Sequence, residues 1–261
     1  MNIVVCLKQV PGTTEVKIDP RTNTLIRQGI ENIINPFDTY ALEEAVRLKE
    51  KHGGTVTVVT MGPPQADAAL REAVSLGADE VVLLSDRAFG GADTWATAYT
   101  LSLAVRKLGD ADLVLLGKQT LDGDTGQVGP EMAEMLELPF IAYVSEVQTV
   151  DNGRITVRRL TEEGHEIIEA ALPAVITVSK EINIPRMPSL RGKMKAKSVA
   201  ITTWDQKALA AADEKVGRNG SPTRVIEIFF PRRVHQAEML TGTTADKVDK
   251  LVDRLREAKV C

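Results

Sequence analysis

Four short apolar runs in the first half of the chain limit the folds that it can adopt. Each run is continuous rather than alternating, which is typical of strands covered on both faces of a sheet. Between them lie segments of helix length whose apolar residues fall largely on one side. Strands and helices that alternate in this way form right-handed βαβ units, so we predict an α/β fold with an open, mostly parallel sheet and helices on both faces. The four runs are residues 2–8, 55–61, 80–85 and 112–117.

The pattern changes after residue 138, where the apolar runs become short and partly alternating. Turn signals join them, DNG at 151–153 and EEG at 162–164. Such strands between tight turns are typically antiparallel, so we predict hairpins that extend the sheet. The predicted antiparallel segments are residues 139–150, 154–160, 165–172 and 174–180.

The remainder of the chain predicts an extended C-terminal arm, and we divide the chain into an α/β domain at 1–200 and this arm at 201–261. Residues 182–198 carry prolines and cations and predict an exposed loop that leads into a short extended piece. An apolar run follows at 225–230, and residues 245–260 predict an amphipathic helix. That helix must bury its apolar face on its own domain or on a second subunit. The apolar face consists of Val248, Leu251, Val252 and Leu255.

Charge and composition exclude several classes of function. The 261 residues carry a formal net charge of -4 with acidic and basic side chains interspersed, so no surface for nucleic acid is expected. No run approaches 18 apolar residues and the N-terminus does not resemble a signal peptide, which predicts no membrane insertion and a cytoplasmic location. The cysteines, Cys6 and Cys261, are too few for a cysteine metal site and are expected to stay reduced.

A glycine-rich segment, LGKQTLDGDTGQVGP, joins the fourth apolar run to a predicted helix. Free N–H groups at a helix N-terminus attract a phosphate, and glycines let it approach the backbone. We expect Thr125, Gly126 and Gln127 near the anion, with Thr125 as the N-cap of the helix. Asp122 and Asp124 would repel a phosphate, so we expect them to bind hydroxyl groups or backbone. The alternative is an ordinary loop that binds nothing, because neither GxGxxG nor GxxxxGK[ST] is present.

No side chains suited to acid–base or hydrolytic chemistry accompany this loop. The three histidines lie elsewhere in the sequence, and no metal-ligand spacing is present. Asp38 is a predicted cap of the first helix, while Cys6 and Met61 suit either an adenine ring or the core. The sequence therefore indicates a nucleotide that is itself the reactive cofactor or that has a structural role.

Seven ordered motifs resemble the β subunit of electron transfer flavoproteins over about residues 1–200, and more weakly beyond. They are VVCLKQVP, NPFDTYALEEAVRLKE, VTVVTMGPP, GADEVVLLSDRAFGGADTWATA, LLGKQTLDGDTGQVGPEMAEML, LPAVITV and PRMPSLRGKMKAK. The resemblance implies a Rossmann-like, adenine-nucleotide-binding domain paired with an α subunit that carries its own FAD. In members that only pass electrons from dehydrogenases to a quinone reductase, the β subunit holds AMP. In electron-bifurcating members it holds a second FAD, which NADH reduces.

The glycine loop resembles the bifurcating, often anaerobic, group more than the AMP group. AMP-type members have a turn like KQAIDDDCNQTGQ, whereas this chain has the more glycine-rich KQTLDGDTGQVGP. We therefore favour FAD, with AMP as the alternative, and NADH as the electron donor. By matching motif, Cys6, Asn35, Asp38 and Met61 should lie on the adenine and ribose side. The phosphates and ribityl chain should be surrounded by Gly117, Thr120, Asp122, Gly123, Asp124, Thr125, Gly126, Gln127 and Val128.

The resemblance also gives the tail a role. The segment PSLRGKMKAK matches the family's recognition loop, in which Leu190 would anchor in a partner dehydrogenase with Arg191, Lys193 and Met194 beside it. The C-terminal helix would embrace the α subunit. In the bifurcating version, one electron goes through the α subunit to an FAD-dependent dehydrogenase for acyl-CoA, lactate or a similar substrate, and the other to ferredoxin or flavodoxin. No side chain acts as acid or nucleophile, so redox activity requires FAD and the partners. An alternative from another class is a stand-alone adenine-nucleotide sensor of the universal-stress type.

Overall fold

The computed structural model of this chain describes residues 1–12, 17–19, 24–26, 32–226 and 237–260, with the backbone alone for 17–19 and 24–26. The strands are β1 (Asn2–Cys6), β2 (Gln9–Pro11), β3 (Lys17–Asp19), β4 (Thr24–Ile26), β5 (Asn32–Ile34), β6 (Thr55–Met61), β7 (Glu80–Leu84), β8 (Leu113–Gly117), β9 (Phe140–Asp151), β10 (Arg154–Thr161), β11 (Gly164–Ala171), β12 (Ala174–Val178) and β13 (Thr202–Trp204). The helices are α1 (Pro36–His52), α2 (Asp67–Leu76), α3 (Thr94–Leu108), α4 (Val128–Leu136), α5 (Leu190–Ser198) and α6 (Thr244–Glu257), with short 3-10 turns at Pro64–Ala66, Arg87–Phe89 and Asp213–Lys215.

The four apolar runs form the parallel centre of a nine-stranded sheet with the order β11-β10-β9-β12-β8-β1-β6-β7-β13. Strand β1 pairs in parallel with β6 on one side and with β8 on the other. The short pairs β2–β5 and β3–β4 are separate antiparallel ribbons. The predicted α/β fold with a mostly parallel sheet is confirmed.

Helices cover both faces of this sheet, as the continuous apolar runs predict. Side chains such as Ile3 and Val5 pack under α1 and α2. Their neighbours Val4 and Cys6 point to the other face and pack under α3 and α4. Because successive strand residues point to opposite faces, burying both sets requires two layers of helices.

The antiparallel extension is confirmed for three of its four predicted segments. Strands β9, β10 and β11 form an antiparallel meander at one edge of the sheet. The prediction for 174–180 is wrong, because β12 lies between β8 and β9 and is parallel to both. All five residues of β12 are buried, so this segment is a fifth core strand rather than half of a hairpin.

The predicted loop at 182–198 is correct only in its first part. Residues 190–198 form helix α5, whose N-cap Ser189 accepts a hydrogen bond from the backbone N–H of Gly192. The helix packs closely on α2, since a Cβ on Gly192 would stand 2.3 Å from the carbonyl oxygen of Ser75. Arg71 of α2 also donates to the carbonyl oxygen of Ala196. Tertiary packing therefore makes a helix of a cation-rich segment that lacks an amphipathic pattern.

The chain divides into two compact units, Met1–Ile226 and Glu227–Cys261. In the second unit, the predicted terminal helix is confirmed as α6. It begins with a reciprocal capping box between Thr243 and Asp246. Residues 227–230 of the apolar run and Cys261 lie outside the described residues. Within the described residues, none of the helices has the length and apolar character that a membrane span requires.

Candidate functional site

The carboxyl ends of β1 and β8 define the candidate site. After β1 the chain adds β6 and β7 on one side, and then returns to place β8 on the other side of β1. This reversal is the topological switch point at which open parallel sheets bind ligands. Cys6 ends β1 directly beside Leu116 of β8, and Gly117 follows. The glycine-rich loop that leaves Gly117 therefore lies at the expected crevice.

Asp38 fastens the start of α1 to both strand ends. Its Oδ2 accepts from the backbone N–H of Lys8 at 2.7 Å, and its Oδ1 accepts from the backbone N–H of Gly117 at 3.2 Å. Gly117 is required here, because a Cβ would stand 2.5 Å from Asp38 Oδ1 and 2.6 Å from the carbonyl carbon of Phe37. The prediction that Asp38 caps α1 is wrong, since Asp38 lies inside the helix and Asn35 is the N-cap residue.

Asn35 holds the first part of the loop. The side chain is fully buried, and its Nδ2 donates to the carbonyl oxygen of Gln119 at 2.9 Å. Its Oδ1 accepts from the backbone N–H of Leu121 at 3.2 Å. Since both ends of the amide are occupied by backbone, Asn35 fixes the loop rather than offering a free polar atom to a ligand.

The loop also stabilises itself by a compact turn. The hydroxyl of Thr120 accepts from the N–H of Gly123 at 3.3 Å, and the carbonyl oxygen of Thr120 accepts from the N–H of Asp124 at 2.9 Å. Asp124 has a positive φ of 52°, and its Oδ1 accepts from Nε2 of Gln119. Asp124 therefore binds within the loop, in the manner expected for a carboxylate beside an anion site.

The last residues of the loop form a cradle of main-chain donors. Within the part of the chain that the structure describes, the N–H groups of Thr125, Gly126 and Gln127 have no hydrogen-bond acceptor. Gly126 has a φ of +64° and Gln127 is right-handed, an alternation that turns successive N–H groups to one side. Helix α4 then begins at Val128, and its first N–H groups add the positive end of its dipole. These residues fit an anionic phosphate or diphosphate.

Two details of this helix start differ from, or add to, the prediction. The N-cap is Gln127 without a side-chain cap bond, so the prediction that Thr125 caps the helix is wrong. Glycine at 129 allows α4 to approach the sheet, because a Cβ there would stand 2.5 Å from Cγ2 of Thr177. The start of α4 therefore packs directly against β12.

Lys8 and Asp122 form an ion pair between the two strand-end loops. The Nζ of Lys8 lies 2.8 Å and 2.7 Å from the two carboxylate oxygens of Asp122. Partial burial acts to raise the pKa of Asp122, but the hydrogen bond and charge of Lys8 outweigh it and hold that pKa below its usual value. The carboxylate is thus charged and neutralised by Lys8, which lessens the repulsion expected for a phosphate.

Burial changes two further groups in the opposite direction. Burial raises the pKa of Asp38 to about 7, against the hydrogen bonds from Lys8 and Gly117 that lower it. Burial, with a contribution from Asp38, raises the pKa of the Cys6 thiol to about 12. Cys6 is therefore a protonated, apolar thiol at neutral pH, consistent with a structural role.

The predicted site residues fall into three groups. Cys6 and Met61 lie on the face covered by α3 and α4, at the ends of neighbouring strands. The buried side chains of Asn35 and Asp38, with Gly117, form a frame under the loop. The loop itself brings together the remaining seven positions up to Gln127, and Val128 begins α4. The seven are Thr120, Asp122, Gly123, Asp124, Thr125, Gly126 and Gln127.

Sequence reasoning missed Lys8, Gln119 and Tyr143. Lys8 follows β1 by two residues, and its position in the strand-end motif CLKQVP was the available signal. Tyr143 has a positive φ of 57° where the pairing of β9 with β12 shifts register. Its hydroxyl lies 4.0 Å from the point where a Cβ on Gly126 would stand. Such an irregularity redirects a side chain and is common beside functional sites, but no sequence pattern predicts it.

A second surface lies on α5. Leu190 and Met194 are 78% and 66% exposed, and Met187 before the helix is 86% exposed. Arg191 and Lys193 flank them on the same exposed segment. These apolar side chains, surrounded by cations, form a surface suited to a protein partner, which we name the α5 surface.

An arginine clasp holds the segment that leads to α5. The Nε of Arg186 donates to Glu43 at 2.8 Å, and its two terminal nitrogens donate to Glu50 at 2.6 Å and 3.0 Å. Glu43 is buried on α1 and is also paired with Arg47. The clasp fixes the backbone three residues before the N-cap of α5.

Comparison with known proteins gives one family. The model of the electron transfer flavoprotein domain matches residues 22–209. The chain is 48% identical over 262 residues to the caffeyl-CoA reductase-Etf complex subunit CarD of Acetobacterium woodii, across the full length of both chains. It is 49% identical over 263 residues to the electron transfer flavoprotein subunit beta of Thermoanaerobacterium thermosaccharolyticum, again across both full lengths. It is 46% identical to Protein FixA of Azotobacter vinelandii, over 94% of this chain and 90% of that protein.

Proposed function

The chain belongs to the electron transfer flavoprotein family as a β subunit, and from that premise we propose that its switch-point site holds FAD reduced by NADH. Family membership favours the electron carrier over the stand-alone nucleotide sensor that the sequence left as an alternative. AMP is the other occupant that the family resemblance implies, and a cofactor count distinguishes the two.

The main-chain cradle at residues 125–127 is the observation that carries this proposal. Its N–H groups are free of protein acceptors in the described structure, and the positive φ of Gly126 turns successive N–H groups to one side. A diphosphate needs several converging donors in close contact with the backbone, which a glycine turn followed by a helix N-terminus supplies. The short, glycine-rich turn therefore favours a dinucleotide over AMP.

Bound FAD would supply the redox chemistry, accepting a hydride from NADH and passing one electron to the α-subunit FAD and a dehydrogenase, and one to ferredoxin or flavodoxin. The side chains of this subunit hold and orient the nucleotide. We propose that Cys6 and Met61 offer an apolar surface to the adenine ring. Asn35 and Asp38 act through the loop and strand ends that they hold, because their polar atoms are bonded to backbone.

Helix α6 is the proposed contact with the α subunit. Val248 and Leu251 are 54% and 49% exposed on it, although its capping box makes the helix itself well formed. An exposed apolar stripe on a stable helix is typical of a docking face. We expect Leu251→Asp to abolish co-purification with the α subunit, whereas Asp253→Ala on the opposite face should leave it intact. Equal recovery of both variants would contradict this contact.

The α5 surface is the proposed contact with an FAD-dependent dehydrogenase. The name of the relative CarD joins it to a caffeyl-CoA reductase, which favours an acyl-CoA enzyme as the partner over a lactate enzyme. The exposed leucine would supply the apolar contact and the surrounding cations would steer an acidic partner. We place this assembly in the cytoplasm, without nucleic acid or membrane insertion.

A cofactor count on the purified αβ heterodimer tests the proposed function. Acid extraction and chromatography should give two FAD per heterodimer and no AMP, and NADH should bleach part of the flavin absorbance. One FAD and one AMP per heterodimer, with no reduction by NADH, would instead establish the AMP-holding version.

A further inference from the structure

Lys8 occupies an unusual place at the switch point. Its backbone is fixed on both sides, because its N–H donates to Asp38 at 2.7 Å and its carbonyl oxygen accepts from the N–H of Asn35 at 2.8 Å. Its side chain is 45% exposed and reaches from the end of β1 to Asp122 in the loop after β8. A clamped backbone with a half-exposed, charged side chain suits a residue whose ammonium group changes partner.

The charged groups of Asp124 and Lys118, in the same loop, already have partners within the protein. The carboxylate of Asp124 accepts from Gln119 within the loop. The ammonium group of Lys118 lies over the ring of Phe37, 5.1 Å from its centroid. An anion in the cradle would therefore meet two loop carboxylates, and Lys8 is the cation that the structure places against one of them.

We propose that Lys8 is a phosphate ligand of this site, which Asp122 holds in place and releases when a nucleotide binds. Ion pairs between exposed side chains, such as Lys8–Asp122, contribute little to stability. Lys8 can therefore exchange the carboxylate of Asp122 for a phosphate at a small cost in free energy. A charge-assisted hydrogen bond to a phosphate is stronger than a neutral one. The exchange would make affinity depend on the phosphate, and so would select nucleotides over nucleosides. The assignment rests on the proposed function of the site as a nucleotide site.

Calorimetry on the heterodimer tests the assignment, after dialysis against concentrated bromide has removed the nucleotide. Wild type and Lys8→Met are titrated with AMP, ADP and adenosine at two salt concentrations. Lys8→Met should weaken AMP and ADP binding about tenfold or more, and should reduce the salt dependence of that binding. Adenosine has no phosphate, so its affinity should change by less than about twofold. Lys8→Gln keeps the side-chain polarity and replaces Lys8→Met if that variant unfolds at a lower temperature.

Asp122→Asn is the opposite change, since it removes the competing carboxylate and keeps a group that can bind within the loop. AMP should bind this variant more tightly than wild type, because Lys8 no longer has to leave a carboxylate. If Asp122→Asn and Lys8→Met lose equal affinity, or if adenosine is weakened as much as AMP, the pair is only a structural brace and the assignment is wrong. If AMP and ADP bind wild type and Lys8→Met with the same affinity, the assignment of Lys8 is wrong, and the proposed function is unaffected. Since FAD contains an ADP group, wild type that binds none of the three is not an adenine-nucleotide site, which overturns the proposed function and the assignment with it.

Discussion

The carboxylate of Asp38 accepts a hydrogen bond from the backbone N–H of Gly117, which lies 79 residues further along the chain. The same carboxylate accepts from Lys8, so one buried side chain joins the start of α1 to the ends of β1 and β8. The glycine-rich loop leaves directly from this junction. Its geometry therefore depends on a contact between a buried carboxylate and a glycine that has no room for a side chain.

Gly117→Ala should destabilise the protein and lower its nucleotide content. The new Cβ would meet Asp38 and the backbone of Phe37 at 2.5 Å and 2.6 Å, and backbone cannot move aside easily. Overpacking of this kind costs about 1–3 kcal/mol. Thermal unfolding and absorbance of the purified heterodimer measure both effects. Gly123→Ala, whose nearest neighbour is the Thr120 hydroxyl at 3.2 Å, should unfold near the wild-type temperature. Similar losses in both variants would show that close packing at Gly117 is unimportant.

Asp38→Asn should change the dependence of stability on pH. The pKa of Asp38 is raised by burial from 3.8 to about 7, so the folded state binds a proton more readily than the unfolded state. The free energy of unfolding should therefore fall as pH rises from about 4 to about 7, by at most about 4 kcal/mol. The asparagine does not titrate, so its urea unfolding should show a flatter profile over this window.

Asp112→Asn is the control for this pH experiment. Asp112 also accepts a backbone N–H, from Asn2, but it is only half-buried. Because Asp112→Asn retains Asp38, its free energy of unfolding should still fall as pH rises from about 4 to about 7. A wild-type profile that Asp38→Asn leaves unchanged would exclude Asp38 as the titrating group.

Leu190→Ala should weaken the interaction with the dehydrogenase without unfolding the protein. The side chain is 78% exposed, so its removal costs the isolated subunit little. A buried apolar anchor in an interface contributes about 2 kcal/mol or more, which corresponds to a KM for the dehydrogenase raised about thirtyfold. Steady-state electron transfer at varied dehydrogenase concentration measures this KM. Ile167→Ala, at a position 66% exposed on β11, should leave KM unchanged. An equal rise in KM in both variants would show that Leu190 makes no specific contact with the dehydrogenase.

The sequence predicted the parts of the fold that local patterns encode. Continuous apolar runs gave the central strands because burial on two faces requires them, and the apolar stripe gave α6. Strand β12 was misassigned because its neighbours in sequence are hairpins, although AVITV is as continuous as the other core runs. Its insertion between β8 and β9 depends on long-range pairing that no local pattern contains.

The same distinction applies to the site. The cradle at 125–127 follows from a glycine turn before a helix, and was predictable to within a cap residue. The Lys8–Asp122 pair and the bonds of Asn35 to the loop join residues 84 to 114 positions apart. Such contacts become visible only when the strand order is known, because β1 and β8 are neighbours in space and not in sequence.

Arg186→Met should destabilise the protein at neutral pH by leaving Glu43 with a single cationic partner. Burial acts to raise the pKa of Glu43, but hydrogen bonds from Arg186 and Arg47 outweigh it and lower that pKa. A lowered pKa stabilises the fold above the unfolded value of 4.5, and this stability is lost as pH falls through the folded value. The difference between wild type and variant should therefore be about 1–3 kcal/mol at pH 7 and should shrink as pH falls below 4.5. Urea unfolding at pH 7 and at one pH well below 4.5 measures the difference.

Arg154→Met provides the comparison, because Arg154 pairs with Glu169 where both side chains are about half exposed. Its removal should cost less than about 1 kcal/mol at either pH. Because the Arg186 clasp precedes α5, Arg186→Met should also raise the KM for the dehydrogenase while Arg154→Met does not. If Arg186→Met has normal stability but a raised KM, Arg186 contacts the dehydrogenase directly. A variant with lowered stability and an unchanged KM would show that α5 keeps its position without the clasp, through its packing on α2 at Gly192.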